Sequence, residues 1–255
     1  MLFVDTHCHI QDDKLISNVE SVVNNAFLND VKIIVVNGCD TVTNKLAIEL
    51  SEKFDSVYAA VGYHPTEEED VNIKYIEETL KLNKVVAIGE IGLDYYYTKE
   101  NAEFQKSKLI KQLDLAVKYD KPVIIHNRNA TDDLYHILKN YKGKIRGIIH
   151  CFSGSIETAN MFINLGFFLG IGGVLTFKNN TNLRETLKNI PIDKVVLETD
   201  SPYLAPEPYR GSVNEPKHVV EVAKMMANIY NLSLEEVSFL TSKNALDLFE
   251  ITGQI

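Results

Sequence analysis

The chain has 255 residues, enough for one large domain with a full core, and its 45% hydrophobic and 24% charged residues are ordinary for a soluble globular protein. Its 26 basic and 35 acidic residues give a net charge of −9 with no polybasic run, which excludes a protein that coats duplex nucleic acid through phosphate contacts. No stretch approaches about 18 consecutive apolar residues and no basic region opens the chain, so the expectation is a cytoplasmic protein without signal peptide or membrane span. No obligate protein partner is implied.

In chain order, eight apolar, β-branched runs stand out at 2–5, 32–37, 57–62, 85–89, 122–126, 146–150, 167–171 and 195–199. The stretches between them carry helical spacing: Ile110, Leu113 and Val117 predict one apolar face, and Leu134, Ile137, Leu138 and Tyr141 another. The acidic run Glu67-Glu68-Glu69-Asp70 reads as a solvated helix start. His136 and His218 fall in helical stretches and read as surface residues. A last helix starts at Ser233, with a capping box to Glu236 and a staple between Leu232 and Val237.

Strands alternating with helical crossovers imply parallel pairing, and near-continuous apolar strands such as Lys32-Ile33-Ile34-Val35-Val36 suit a sheet buried on both faces. Eight such units predict an α/β fold, a (β/α)8 TIM barrel forming a single domain over residues 1–255. The rival, an open doubly wound sheet, would want a Gly-rich phosphate turn after the first strand, where this chain has His7-Cys8-His9. Gly170-Ile171-Gly172-Gly173 is not that fingerprint and reads as close backbone approach at a strand end.

In such barrels, functional side chains stand at the C-terminal ends of strands. The opening strand carries Asp5, His7 and His9, which strict alternation puts on one face. Four more candidates close later runs: Glu90, His126, His150 and Asp200. His7, His9, Glu90, His126, His150 and Asp200 form a mixed imidazole and carboxylate set that suits zinc, manganese, cobalt, iron or magnesium. Six donors exceed the needs of one tetrahedral ion, so two ions are expected, with Glu90 as the bridge and Asp200 taking a proton from an activated water.

Asp5 is placed deeper, as a partner for a histidine rather than a ligand. His64, Arg210 and Arg128 are candidate phosphate or leaving-group contacts at the mouth. Tyr95, Tyr96 and Tyr97 are read as loop packing before base stacking. The odd count of three cysteines without paired spacing predicts reduced thiols, with Cys8 and Cys151 packed in the core.

The motifs around these residues resemble, in order and spacing, those of the TatD-like deoxyribonuclease family of the amidohydrolase superfamily. They are His7-Cys8-His9, Gly62-Tyr63-His64-Pro65, the run from Gly89 to Tyr95, Pro122 to His126, His150 to Gly154 and Glu198 to Leu204. Arg210-Gly211 with Asn214-Glu215-Pro216 extends the likeness, so that it covers essentially the whole chain. The resemblance implies a metal-dependent nuclease acting on DNA ends, favours a 3′ end and Mg²⁺ over Mn²⁺ or Zn²⁺, and carries the same six ligands over by position. Where relatives in the wider group place a carboxylated lysine on strand four, this chain has Glu90. It departs from the family after Arg210-Gly211, where Ser212-Val213 stands in place of basic or polar residues. Two other readings compete: a hydrolase of a small lactone, cyclic amide or phosphotriester, and a non-enzymatic metal-binding scaffold.

Overall fold

The computed structural model describes residues 1–96 and 99–252. Among them, eight strands form one parallel sheet in sequence order: β1 (Phe3–Cys8), β2 (Val31–Asn37), β3 (Val57–Val61), β4 (Val85–Asp94), β5 (Val123–Arg128), β6 (Gly147–Ile149), β7 (Phe167–Ile171) and β8 (Val195–Leu197). The helices are α1 (Val19–Leu28), α2 (Thr41–Lys53), α3 (Ile73–Thr79), α4 (Ala102–Tyr119), α5 (Thr131–Lys139), α6 (Ile156–Ile163), α7 (Thr181–Leu187), α8 (Val219–Tyr230) and α9 (Leu234–Phe249). β1 meets β8 through Asp200 N donating to His7 O at 2.9 Å, His9 N to Ser201 O at 2.6 Å and Thr6 Oγ1 to Leu197 O at 3.0 Å. The fold is a (β/α)8 barrel.

Two apolar layers hold it. The outer layer packs strand residues such as Phe3, Ile34 and Val123 against helix residues such as Leu109, Leu134 and Leu183. The inner layer joins strand residues of the opposite parity, Val4, Ile33, Val35, Ile124, Ile148 and Val196, to Ala245, Leu246, Leu248 and Phe249 of α9. α9 starts with the expected Ser233–Glu236 capping box. It lies across the N-terminal strand ends: Ser238 and Ser242 donate to Leu2 O at 2.6 and 2.8 Å, and Asn244 Nδ2 to Val195 O at 2.7 Å. The barrel floor is therefore sealed by α9, and the C-terminal strand ends are left for the mouth.

Helix α4 departs from its predicted apolar face. Ile110 and Val117 are exposed, while Gln105, Lys108 and Gln112 are buried beside Leu109 and Leu113. These polar side chains face inward because they satisfy backbone groups at strand ends. Gln105 brackets Asp94 N and O at 2.8 Å each, and Gln112 brackets Tyr63 N and O at 2.8 and 3.1 Å. Lys108 Nζ donates to His64 O at 2.9 Å and Glu67 O at 2.7 Å. The run Glu67–Asp70 does not begin a helix; α3 starts later, capped by Asn72, because the acidic residues are held in a loop. Glu69 accepts from Thr41 Oγ1 at 2.7 Å and Asp70 pairs with Lys111.

Candidate metal centre

Local irregularity aims the site. In β1 the register to β2 slips between Asp5 and Cys8, and in β4 the register to β5 slips between Ile88 and Ile91. Phe3 and Cys8 lie five residues apart yet share the outer layer, as do Ile88 and Ile91 at three apart. Strict alternation forbids both, so each strand holds an extra residue of the bulge type that re-aims side chains. The first slip separates Asp5 from His7, against the sequence expectation of one shared face. Asp5 turns to β8, where its carboxyl accepts from Thr199 N at 2.9 Å and Thr199 Oγ1 at 2.6 Å. Burial pushes the Asp5 carboxyl well up, against the lowering pull of the Thr199 bonds.

Glu90 stands at the second slip, almost fully buried, and each of its oxygens addresses a different set of imidazoles. Oε2 is 3.4 Å from His7 Nε2 and 3.5 Å from His9 Nε2. Oε1 is 2.8 Å from His126 Nδ1, 3.1 Å from His150 Nε2 and 3.5 Å from His64 Nε2. Asp200, in a left-handed turn after β8 (φ 57°), sets Oδ1 3.7 Å from His7 Nε2 and 3.6 Å from His9 Nε2. The turn is braced by Asn214, which donates to Thr199 O at 2.9 Å and Tyr203 O at 2.7 Å. His7 and His9 bring their Nε2 atoms within 3.1 Å of each other, and the His7 and His150 rings stack at 3.9 Å.

All six candidates thus converge, with His64 added. Several imidazole nitrogens and carboxylate oxygens point at common centres, a donor set that fits divalent cations. Burial opposes the charge on Glu90, but His150, His64, His7 and His126 outweigh it and hold its carboxyl well below the usual range. Burial likewise opposes charge on Asp200, and His9, His150 and His7 still pull it down. Burial pulls His7 and His64 down, whereas for His126 and His150 the facing carboxylates overcome burial and push the imidazoles up.

The second nitrogens are held differently. His126 Nε2 lies 3.0 Å from Asp94 Oδ2, His150 Nδ1 lies 3.4 Å from Glu198 Oε1, and His9 Nδ1 lies 2.9 Å from Asn37 O. His7 Nδ1 is buried with no partner. Asp94 and Glu198 lie within the motifs quoted above, each within four residues of a candidate ligand, but the sequence assigned them no role. Glu198 is the reason for Gly170, where a Cβ would lie 2.2 Å from Glu198 Oε2, whereas at Gly173 a Cβ would lie 2.1 Å from the backbone oxygen of Leu204. The expected close backbone approach is thus found at Gly173, and at Gly170 the approach is by a carboxyl group.

The cavity above these residues measures about 710 Å³, within the ~300–1,000 Å³ of small-ligand sites. Its lining includes His64, Arg128, Cys39, Cys151 and Tyr203. Arg128 is the one Arg or Lys among the described lining residues, and its guanidinium lies 3.7 Å from the centroid of Tyr96. Arg210 lies outside the lining, with its guanidinium 3.7 Å from the centroid of Phe177, a cation–π contact that turns it away from the expected role. Tyr95 packs its hydroxyl on Asp133 at 2.9 Å; Tyr97 lies outside the described residues.

Cys8 is core, as expected, but Cys151 reaches the cavity, because β6 ends at Ile149 and strand alternation no longer applies to it. All three thiols are free. His136 is exposed as expected. His218 is not: it is buried, stacked at 4.1 Å on Tyr209, with Nδ1 2.9 Å from Asn214 Oδ1.

Residues 4–250 match the family described as TatD related DNase. The chain belongs to that family. Two curated members are named uncharacterized metal-dependent hydrolases. YabD of Bacillus subtilis is 41% identical, over 98% of this chain and 100% of its own length; YcfH of Escherichia coli is 35% identical, over 98% and 97%. The crystal structure of YJJV, a TatD homolog from Escherichia coli, superposes with a TM-score of 0.91 at 30% identity, covering 98% of both chains. A TatD-family hydrolase of Entamoeba histolytica follows at a TM-score of 0.88 and 26% identity, covering 99% of each.

Proposed function

We propose that this TatD-family chain is a metal-dependent hydrolase that cleaves phosphodiester bonds of DNA, an exodeoxyribonuclease working from a 3′ end on single-stranded or frayed substrate. The observation that carries the reading is the division of Glu90, one oxygen toward His7 and His9, the other toward His126 and His150. In this reading His7, His9 and Asp200 would hold one divalent cation and His126 and His150 a second, with Glu90 available to both. When bound, such cations supply Lewis-acid polarisation of a phosphoryl oxygen and lower the pKa of water. Asp200, partly open to the cavity and kept ionised by its imidazole neighbours, receives the proton of the attacking water. His64, held by Thr66 Oγ1 at 2.7 Å, and Arg128 face the same space and orient the phosphate or leaving group.

The test is an end-labelled single-stranded oligonucleotide offered to metal-stripped protein, with Mg²⁺, Mn²⁺ or Zn²⁺ restored separately. The expected result is a ladder shortening from the 3′ end with at least one ion. Glu90→Gln, which alters a group shared by both halves, should lose more than the ~10–100-fold typical of residues behind a ligand. Full activity in Glu90→Gln would overturn the assignment. The scarcity of basic residues in the lining favours a second reading, a hydrolase of a small lactone, cyclic amide or phosphotriester. An intact oligonucleotide under every ion, with turnover of such a compound, would establish that reading instead.

A further inference from the structure

We infer that Asp94 and Glu198 are positioning residues that make the His126–His150 half of the centre the tighter of two metal positions, filled before the His7–His9 half. The inference rests on the metal-centre reading above and concerns what stands behind the imidazoles. His126 is gripped at both nitrogens: Nδ1 faces Glu90 Oε1 at 2.8 Å, and Nε2 faces Asp94 Oδ2 at 3.0 Å. Asp94 is itself fixed, its Oδ1 accepting from Tyr96 N at 2.9 Å and its backbone bracketed by Gln105. With Asp94 holding the proton of Nε2, the tautomer is set and Nδ1 is left as the ligating atom. A carboxylate behind a ligand imidazole also raises its basicity.

His150 also has a carboxyl group behind it, at ion-pair rather than hydrogen-bond distance. Nε2 faces Glu90 Oε1, while Nδ1 lies 3.4 Å from Glu198 Oε1, an oxygen that also accepts from Cys151 N at 2.7 Å. Glu198 is fully buried, and its carboxyl fills the space left by the missing side chain of Gly170. Its Oε2 has no hydrogen-bond partner, so the group is retained at a cost that packing alone does not explain.

The other half lacks a carboxyl group behind its imidazoles, although His7 Nδ1 and His150 Nδ1 are alike in making no hydrogen bond. His9 Nδ1 rests on the neutral Asn37 carbonyl, which Gln11 Nε2 already engages at 2.6 Å, and His7 Nδ1 has no partner. Asp200 contributes a carboxylate there directly, but in the proposed reaction it is given over to the proton of water. Two buried carboxyl groups stand within 3.4 Å of the outer imidazole nitrogens of one half, whereas the buried Asp5 of the other half reaches His7 only at its backbone N–H, and this difference sets the order.

The experiment is calorimetric titration of the metal-stripped protein with Mn²⁺, beside thermal melts of the metal-free variants. Wild type should bind in two steps. Asp94→Asn and Glu198→Gln, both close to isosteric, should each weaken the tighter step by about 10–100-fold and leave the weaker step in place. Their metal-free melting points should stay near wild type, a result that a merely structural role would not give. His9→Ala should remove the weaker step and keep the tighter one. The inference is overturned if both carboxyl variants leave the tighter step unchanged, or if His9→Ala removes it. A wild-type protein that takes up no metal would instead defeat the metal-centre reading itself. If Glu198→Gln does not fold, Asp94→Asn alone decides.

Discussion

His218 shows how a single residue can escape sequence reading. Helical spacing made it a surface residue, yet the helix proper begins one residue later, and Pro216–His218 is a 3₁₀ turn tucked against the Asn214 loop. Burial, then Lys217, hold the imidazole below its ordinary value against Glu215 and Glu221. The unfolded chain therefore takes a proton first. Stability from this residue is complete above about pH 6.5 and is lost as pH falls toward the folded value. His218→Gln should cost about 1 kcal/mol near neutral pH and then lose less than wild type between about pH 8 and pH 5. Urea unfolding at the two pH values measures this, and equal losses in both proteins would refute it. The candidate ligands were legible because histidines and acids at run ends are visible as letters. Asp94 and Glu198 were not, because what distinguishes them is the imidazole nitrogen each one faces.

At the scale of elements, all eight strands could be read from β-branched runs, since burial on both faces demands apolar letters throughout. The two slips in β1 and β4 were hidden for the same reason: a strand that is apolar on both faces shows no alternation to break. Helix α4 differs from its predicted face because its inner side mixes Leu109 and Leu113 with the polar Gln105, Lys108 and Gln112. Lys108 is the sharpest instance, fully covered and satisfied by two backbone carbonyls of the loop that presents His64. Burial draws its pKa down, with Glu67 and Asp70 opposing. Replacing it with Met keeps the stem but leaves both carbonyls unmet, and should cost about 1–3 kcal/mol. Denaturant unfolding of Lys108→Met provides the measurement; wild-type stability would show that the clamp carries nothing.

Over the whole molecule, charge and shape act together. The net charge is −9 and the described cavity lining holds one Arg and no Lys, so a nucleic-acid strand would find few cations to displace its counterions. The dependence of log(kcat/KM) for an oligonucleotide on log salt should therefore be shallow, a slope of about −0.7 to −1.4 for one or two phosphate contacts on a single strand. A slope several times steeper would mean that a basic track outside the cavity does the holding. The opposite end of the barrel completes the picture. With α9 laid across the floor and its Leu246, Leu248 and Phe249 joined to the inner layer, the barrel is a blind well rather than a tunnel. Nothing can be threaded through it. Whatever enters must leave by the door through which it came, so under the exonuclease proposed above a polymer would pause at each unit while the severed piece clears the entrance. Arrival and departure share one passage.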